Sequence, residues 1–203
     1  MIEGIKIVLA LFAITLVLSV PLGIIVALLR LSKSKVIRGI TSFYILIMRG
    51  TPLLLQMIVI FYGLPLIGIV FDRFTAGAVA FVINYAAYFA EIFRGGIQSI
   101  DSGQREAAEV LGFDKVTMYK RIILPQVAKR VLAPVSNEVI TLVKDTSLVY
   151  ILGLNDILRI SQIAMNRTAS LMPLLWAGII YLVFIAILTK IFQSMEKKYD
   201  YYK

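Results

Sequence analysis

The side chains with chemical potential in this sequence are polar groups set inside long apolar runs. Asn84, Tyr88, Glu91 and Gly95 recur at i, i+4, i+7 and i+11, and so share one face of a helix. Further on, Asn137, Thr141 and Lys144 do the same, flanked by Glu138 and Asp145. Arg49-Gly50-Thr51-Pro52 interrupts another apolar run. An unpaired polar group in hydrocarbon is expensive, so such stripes must face a bundle interior or a water-filled cavity. The chemistry they suit is recognition of a small polar solute. Thr51 as N-cap and Pro52 as the first residue of a new helical segment would offer a carboxylate free N–H groups and a positive dipole end. Arg49 adds a bidentate contact to the same group. Glu138 is the best available partner for a substrate cation, with Asn84, Asn137 and Thr141 as neutral neighbours. Structural readings stand beside these. Glu91 pairs with Arg94 as interhelical glue, the stronger reading for that residue; and if the second span begins at Leu53, Arg49 is an inner-face anchor and Glu138 the partner of a lysine or arginine.

Catalysis finds no support. The chain has no Cys and no His, which removes thiol chemistry, His-based acid/base work and the commonest metal sites. No G-x4-G-K-[ST] phosphate loop occurs, so ATP is not hydrolysed here. The formal charge of +9 does not point to nucleic acid, because the basic residues lie between apolar runs of bilayer-spanning length.

The elements that position these residues follow from composition. Hydrophobic residues make up 60% of the 203 and charged residues 16%, and mean hydropathy is +0.88, whereas soluble domains run to roughly half apolar and a quarter charged. The solvent for most of the chain is therefore lipid, and the expected class is an all-α integral membrane protein, multi-pass in the cell (cytoplasmic) membrane. Hydropathy predicts five transmembrane helices, at roughly 5–29, 36–62, 75–97, 126–146 and 172–193, forming one domain over 1–203. The first run, Ile5 to Leu29, is too long for the core of a secretory signal, and its basic cluster (Arg30, Lys33, Lys35) follows it. Placing 98–125 in the cytoplasm leaves only Lys6, Arg73, Lys144, Arg159 and Arg167 of the 21 basic residues outside. That asymmetry predicts N-out, C-in. The nearly pure aliphatic first and fifth spans are expected to face lipid.

The segment 98–125 carries the most specific pattern. Asp101 with Gln104 resembles a capping box, Gln104 to Leu111 favours helix, and Gly112 suits a C′ position. A second short helix is expected from Asp114 to Leu124, stopping before Pro125. Glu106-Ala107-Ala108, three residues, Gly112, nine residues, Ile122, one residue and Leu124-Pro125 match the EAA signature of ABC-importer permeases at every fixed position. Arg49 to Pro52, the run Asn84 to Ile97 (NYAAYFAEIFRGGI) and Lys144 to Leu148 narrow the resemblance to permeases of the polar amino-acid uptake family, similar over nearly the whole chain. The resemblance implies a type I ABC importer (MetI-like) fold. It also implies a permease that forms the translocation pathway for an amino-acid substrate, with Glu106, Ala107, Ala108, Gly112, Ile122, Leu124 and Pro125 coupling it to an ABC ATPase dimer. Further implied partners are a second permease subunit, homodimeric or paralogous, and an extracytoplasmic solute-binding protein. No cofactor belongs to this chain; ATP and Mg reside on the ATPase. Within that resemblance, Glu138 leans the substrate towards basic amino acids. The rivals are an ion-coupled secondary carrier, an ABC permease for a different small polar solute, and a membrane scaffold that carries the docking loop without a pathway.

Overall fold

A chain surrounded by hydrocarbon must pair every main-chain N–H and C=O within itself, which leaves helices as the economical solution. The computed structural model describes residues 1–198, and among these the regular structure is entirely helical. The end of the expected 1–203 domain, residues 199–203, lies outside the described residues. In chain order the helices are α1 (Ile2–Arg30), α2 (Lys35–Gly50), α3 (Leu53–Ile58), α4 (Arg73–Gln98), α5 (Ser102–Val110), α6 (Lys115–Met118), α7 (Leu124–Asp145), α8 (Ile157–Thr168) and α9 (Met172–Lys198). Three of them, α1, α4 and α9, are long and apolar enough to cross a membrane; counting each of two bent pairs as one crossing gives up to five.

Acidic caps start the polar-flanked helices. Asp72 accepts from the Phe74 amide at 2.9 Å, Asp114 from Thr117 at 3.0 Å, and Asp156 from Leu158 and Arg159, both at 3.0 Å. The helix α8, amphipathic and outside every predicted span, is announced in the sequence only by its Asp156 cap.

The centre of the bundle is α4, whose buried Phe81, Tyr85 and Phe89 pack with Leu11, Met57 and Leu142 from three other helices. The expectation that α1 simply faces lipid is corrected: Val8, Leu11, Thr15, Ser19, Gly23 and Ala27 form a buried stripe, and α1 packs along α4. Gly23 makes the approach possible, since a β-carbon there would stand 2.7 Å from Phe89 Cβ. Small residues on a seam let two backbones close up where no hydrophobic drive from water is available. By contrast α9 buries only Ala177, as the reading of the fifth span requires.

Two wide π-turns, Val59–Gly63 and Tyr119–Ile123, each sit just before a proline, Pro65 and Pro125. A proline ring collides with the carbonyl four residues back and offers no N–H. The i→i+5 turn moves that carbonyl aside, so Leu124 bonds to Tyr119 instead and the helix continues. This overturns the expected stop before Pro125: α6, the π-turn and α7 run on without a break.

Candidate functional site

The site is built where the second apolar run breaks. Thr51 (φ −120°, ψ 148°) and Pro52 (φ −63°, ψ 135°) are extended, and the axes on either side differ by 104°. The discontinuity matches the expectation, but its detail does not. Thr51 closes α2 rather than opening α3: its hydroxyl donates to the Ile47 carbonyl at 2.7 Å, and Pro52 occupies the N-cap position of α3 without any side-chain cap. The Thr51 amide donates to the same Ile47 carbonyl at 3.1 Å, so backbone and side chain both tie Thr51 to the end of α2.

A break inside a bundle leaves main-chain carbonyls orphaned, and two buried amides satisfy them. Gln56 Nε2 donates to the Met48 carbonyl at 3.0 Å and to Thr51 Oγ1 at 2.8 Å; Asn84 Nδ2 donates to the same Met48 carbonyl at 2.8 Å and to Gln56 Oε1 at 3.0 Å. Gln56 is absent from the sequence reading. Its signal was a lone glutamine, 8% exposed here, among leucines one turn after a helix break.

Beside the break lies a cavity of about 520 Å³, walled by Arg49 to Leu53 on one side and by Asn84, Tyr85, Tyr88, Glu138, Thr141, Asp145 and Leu148 on the other. Arg49, Asn84, Glu138 and Thr141 of the predicted set therefore come together. Asn137 does not: it is exposed, outside the cavity lining, and Lys144 is exposed too. The polar stripe that faces the cavity is Glu138, Thr141 and Asp145 (i, i+3, i+7); it shares Thr141 with the predicted Asn137, Thr141 and Lys144 but takes the flanking Glu138 and Asp145 in place of the other two, a rotation of about 70°. Packing sets that rotation, because buried Val139, Leu142 and Val143 must face the core.

The electrostatics divide across the cavity. The Arg49 guanidinium lies over the Tyr88 ring at 5.1 Å and 3.9 Å from Glu91 Oε2. Glu91 itself is gripped by Arg94 in a two-pronged contact at 2.8 and 2.6 Å, so the expected pair forms, but within α4 (i, i+3) rather than between helices; the contact of Glu91 across helices is the longer one to Arg49. On the other wall Asp145 Oδ2 accepts the Tyr85 hydroxyl at 2.7 Å, whereas Glu138 has no ion-pair partner among the described residues. One cation faces two carboxylates across a space the size of a small solute.

The second region of interest is the knob α5–α6. Asp101 caps α5 through the Gly103 amide at 2.7 Å, but the return half of the expected box is missing, since Gln104 Oε1 instead accepts from Gln126 at 3.4 Å. Gly112 is at φ +77°, and the Phe113 and Gly112 amides bond to the Ala108 and Glu109 carbonyls, both at 3.0 Å, a complete Schellman turn. Ala108 is buried against Met118 and Ile123, while Glu106, Ala107, Gly112 and Leu124 are exposed and Ile122 and Pro125 partly so. The Thr117 hydroxyl and then its amide hold the Asp114 carboxyl below the usual carboxylate range, which keeps the start of α6 charged and capped. At the tip Val110 and Leu111 are 88% and 75% exposed, apolar surface of the kind that marks a contact with another protein.

The family model described as binding-protein-dependent transport system inner membrane component matches residues 19–200. The arginine transport system permease protein ArtQ of Bacillus subtilis (strain 168) is 40% identical over 198 residues, covering 97% of this chain and 90% of the relative. A putative glutamine transport system permease protein GlnP of Rickettsia conorii is 36% identical, covering 97% and 91%. Among solved structures, an amino acid ABC transporter with histidines superposes with a TM-score of 0.89 at 35% identity, covering 97% and 92%. The inward-facing MetNI methionine ABC transporter, at 14% identity and a TM-score of 0.76, shares the fold.

Proposed function

Since the chain belongs to the binding-protein-dependent transport system inner membrane components and is an amino-acid ABC transporter permease, we propose that it carries basic amino acids through the cavity beside the α2–α3 break. The observation that carries this reading is the charge layout of that cavity, with Arg49 on one wall and Glu138 and Asp145 on the other. An amino acid offers a carboxylate to Arg49 and an α-ammonium to Glu138; the second carboxylate, Asp145, leaves room for a side-chain cation. Asn84 and Thr141 are neutral neighbours of the bound solute, whereas Asn137 would contribute from outside the present cavity. The relative of 40% identity that is described as an arginine permease supports the same class. A second reading is favoured by the Tyr85 hydrogen bond to Asp145. If that bond persists during transport, the Asp145 carboxylate is occupied and Arg49 and Glu138 are the charged groups left to contact the solute, which matches a neutral zwitterion such as glutamine. Arginine and glutamine uptake by a reconstituted complex, before and after Glu138→Gln, tests the site; Asp145→Asn separates the two substrate classes.

In this proposal five spans run N-out and C-in, two permease subunits enclose the pathway, and a solute-binding protein delivers the substrate from outside. The knob docks on a separate ATPase through its exposed apolar tip. Glu106, Ala107, Ala108, Gly112, Ile122, Leu124 and Pro125 transmit nucleotide-driven movement to α7, with which the knob is continuous through the π-turn. ATP and Mg belong to the ATPase, and this chain is a conduit rather than an enzyme.

A further inference from the structure

A second concave region, of about 470 Å³, lies at the neck of the knob, where α5 meets the π-turn and the first turns of α7. Its lining includes Gln104, Arg121, Pro125, Gln126, Lys129 and Arg130, and no acid. Among the described residues the ion pairs involve only Arg49, Glu91 and Arg94, so the three cations here have no carboxylate partner. The groove is also held in shape. Arg130 donates to the Ser99 carbonyl, tying α7 to the end of α4, and Gln126 Nε2 donates to Ile122 at 2.9 Å and to Gln104 at 3.4 Å, closing the floor.

We propose that this groove binds the phosphate headgroup of an anionic phospholipid from the cytoplasmic leaflet. Three converging, unneutralised cations beside two amide side chains match the charge and hydrogen-bonding needs of a phosphodiester. The depth selects a lipid. Immediately after Arg130 the chain turns apolar with Val131, Leu132 and Ala133, so the cations stand at the level where a membrane helix enters hydrocarbon and headgroups lie. Basic pockets between helices on the cytoplasmic side attract anionic headgroups, at roughly a few-fold in affinity for each lysine or arginine. The groove is separate from the apolar tip of the knob: Gln104 and Val110 are six residues apart on α5, about 9 Å along its axis. A headgroup seated against Pro125 rests on the joint between the knob and α7, and so biases how the knob is presented to the ATPase. This inference rests on the reading that 98–125 is cytoplasmic.

Native mass spectrometry of the delipidated full chain tests it, titrated with phosphatidylglycerol or with phosphatidylcholine of the same acyl chains. Phosphatidylglycerol should be retained in preference, and Arg121→Gln combined with Lys129→Gln should weaken it on the order of tenfold. Lys129→Arg should keep it, and Lys190→Gln with Lys197→Gln, basic residues at the far end of α9, should not matter. Equal weakening by the α9 pair would reduce the effect to diffuse charge and overturn the site. Displacement of the lipid by inorganic phosphate at comparable concentration would make the ligand a soluble anion instead. Retention of phosphatidylglycerol by the Arg121/Lys129 double variant, with loss of the ATPase subunit when that variant is co-purified with it, would assign the groove to a protein surface. Failure here leaves the transport reading untouched, because arginine uptake and the sidedness of Ser102 are measured independently.

Discussion

Asn84 of α4 donates its side-chain amide to the Met48 carbonyl of α2 at 2.8 Å, across the point where the second apolar run breaks. One carbonyl thereby holds two amides, Asn84 and Gln56, and the broken helix is stitched to the centre of the bundle. A break that would otherwise expose orphaned main-chain groups becomes a rigid wall of the cavity.

Removing that stitch has a calculable effect. Asn84→Leu leaves Gln56 Oε1 without its donor and takes one bond from Met48, and the loss should be about 1 kcal/mol given the modest worth of interhelical hydrogen bonds in membranes. Thermal unfolding of the purified chain in detergent should shift down by roughly 2–4 °C. An unchanged midpoint would mean that the two helices are not joined in this way.

Glu138→Gln keeps the shape of the cavity wall and deletes one of its charges. For a reconstituted complex with its ATPase, the KM for arginine should rise about tenfold or more, the worth of a charge-assisted hydrogen bond, with little change in basal ATP hydrolysis. If arginine uptake and its competition by neutral amino acids stay as they were, Glu138 does not contact substrate.

At Gly112 the left-handed backbone, φ +77°, decides the outcome. A β-carbon placed there would meet no atom within 4 Å, so crowding within the chain is not the issue. Any L side chain costs roughly 1 kcal/mol in that conformation. Gly112→Ala should therefore be tolerated in the membrane with weakened coupling, while Gly112→Asp adds a charge on the surface offered to the ATPase. The Asp variant should insert normally and lose ATPase on co-purification; normal recovery of the ATPase would refute a docking role for the knob.

Sidedness is open to direct chemistry, because the chain has no cysteine. Ser102→Cys, exposed at the start of α5, should resist an impermeant maleimide in intact cells and react in inverted vesicles. Labelling from the outer face would invert the topology, and with it the positions of the knob and the basic groove.

Much of the architecture was legible residue by residue because its causes are local. Composition alone commits the chain to lipid, and lipid commits it to helices. Arg49-Gly50-Thr51-Pro52 announces a discontinuity because proline forces the preceding residue out of helix, and Gly112 announces a left-handed turn because glycine alone adopts it without strain. Four of the five proposed substrate residues meet in one cavity for a related reason: a polar group in hydrocarbon must turn inward. What the tertiary structure decided is rotation and partnership. Which face of α7 lines the cavity, Glu138, Thr141 and Asp145 rather than Asn137 and Lys144, depends on how Val139, Leu142 and Val143 seat against other helices. The roles of Gln56 and Tyr85 depend on carbonyl and carboxylate groups 5 to 60 residues away. The helix passes Pro125 on a π-turn rather than stopping before it, and the proline by itself leaves both outcomes open. Local sequence chooses the elements and where they end; the angle at which each presents its polar face is a property of the assembled bundle.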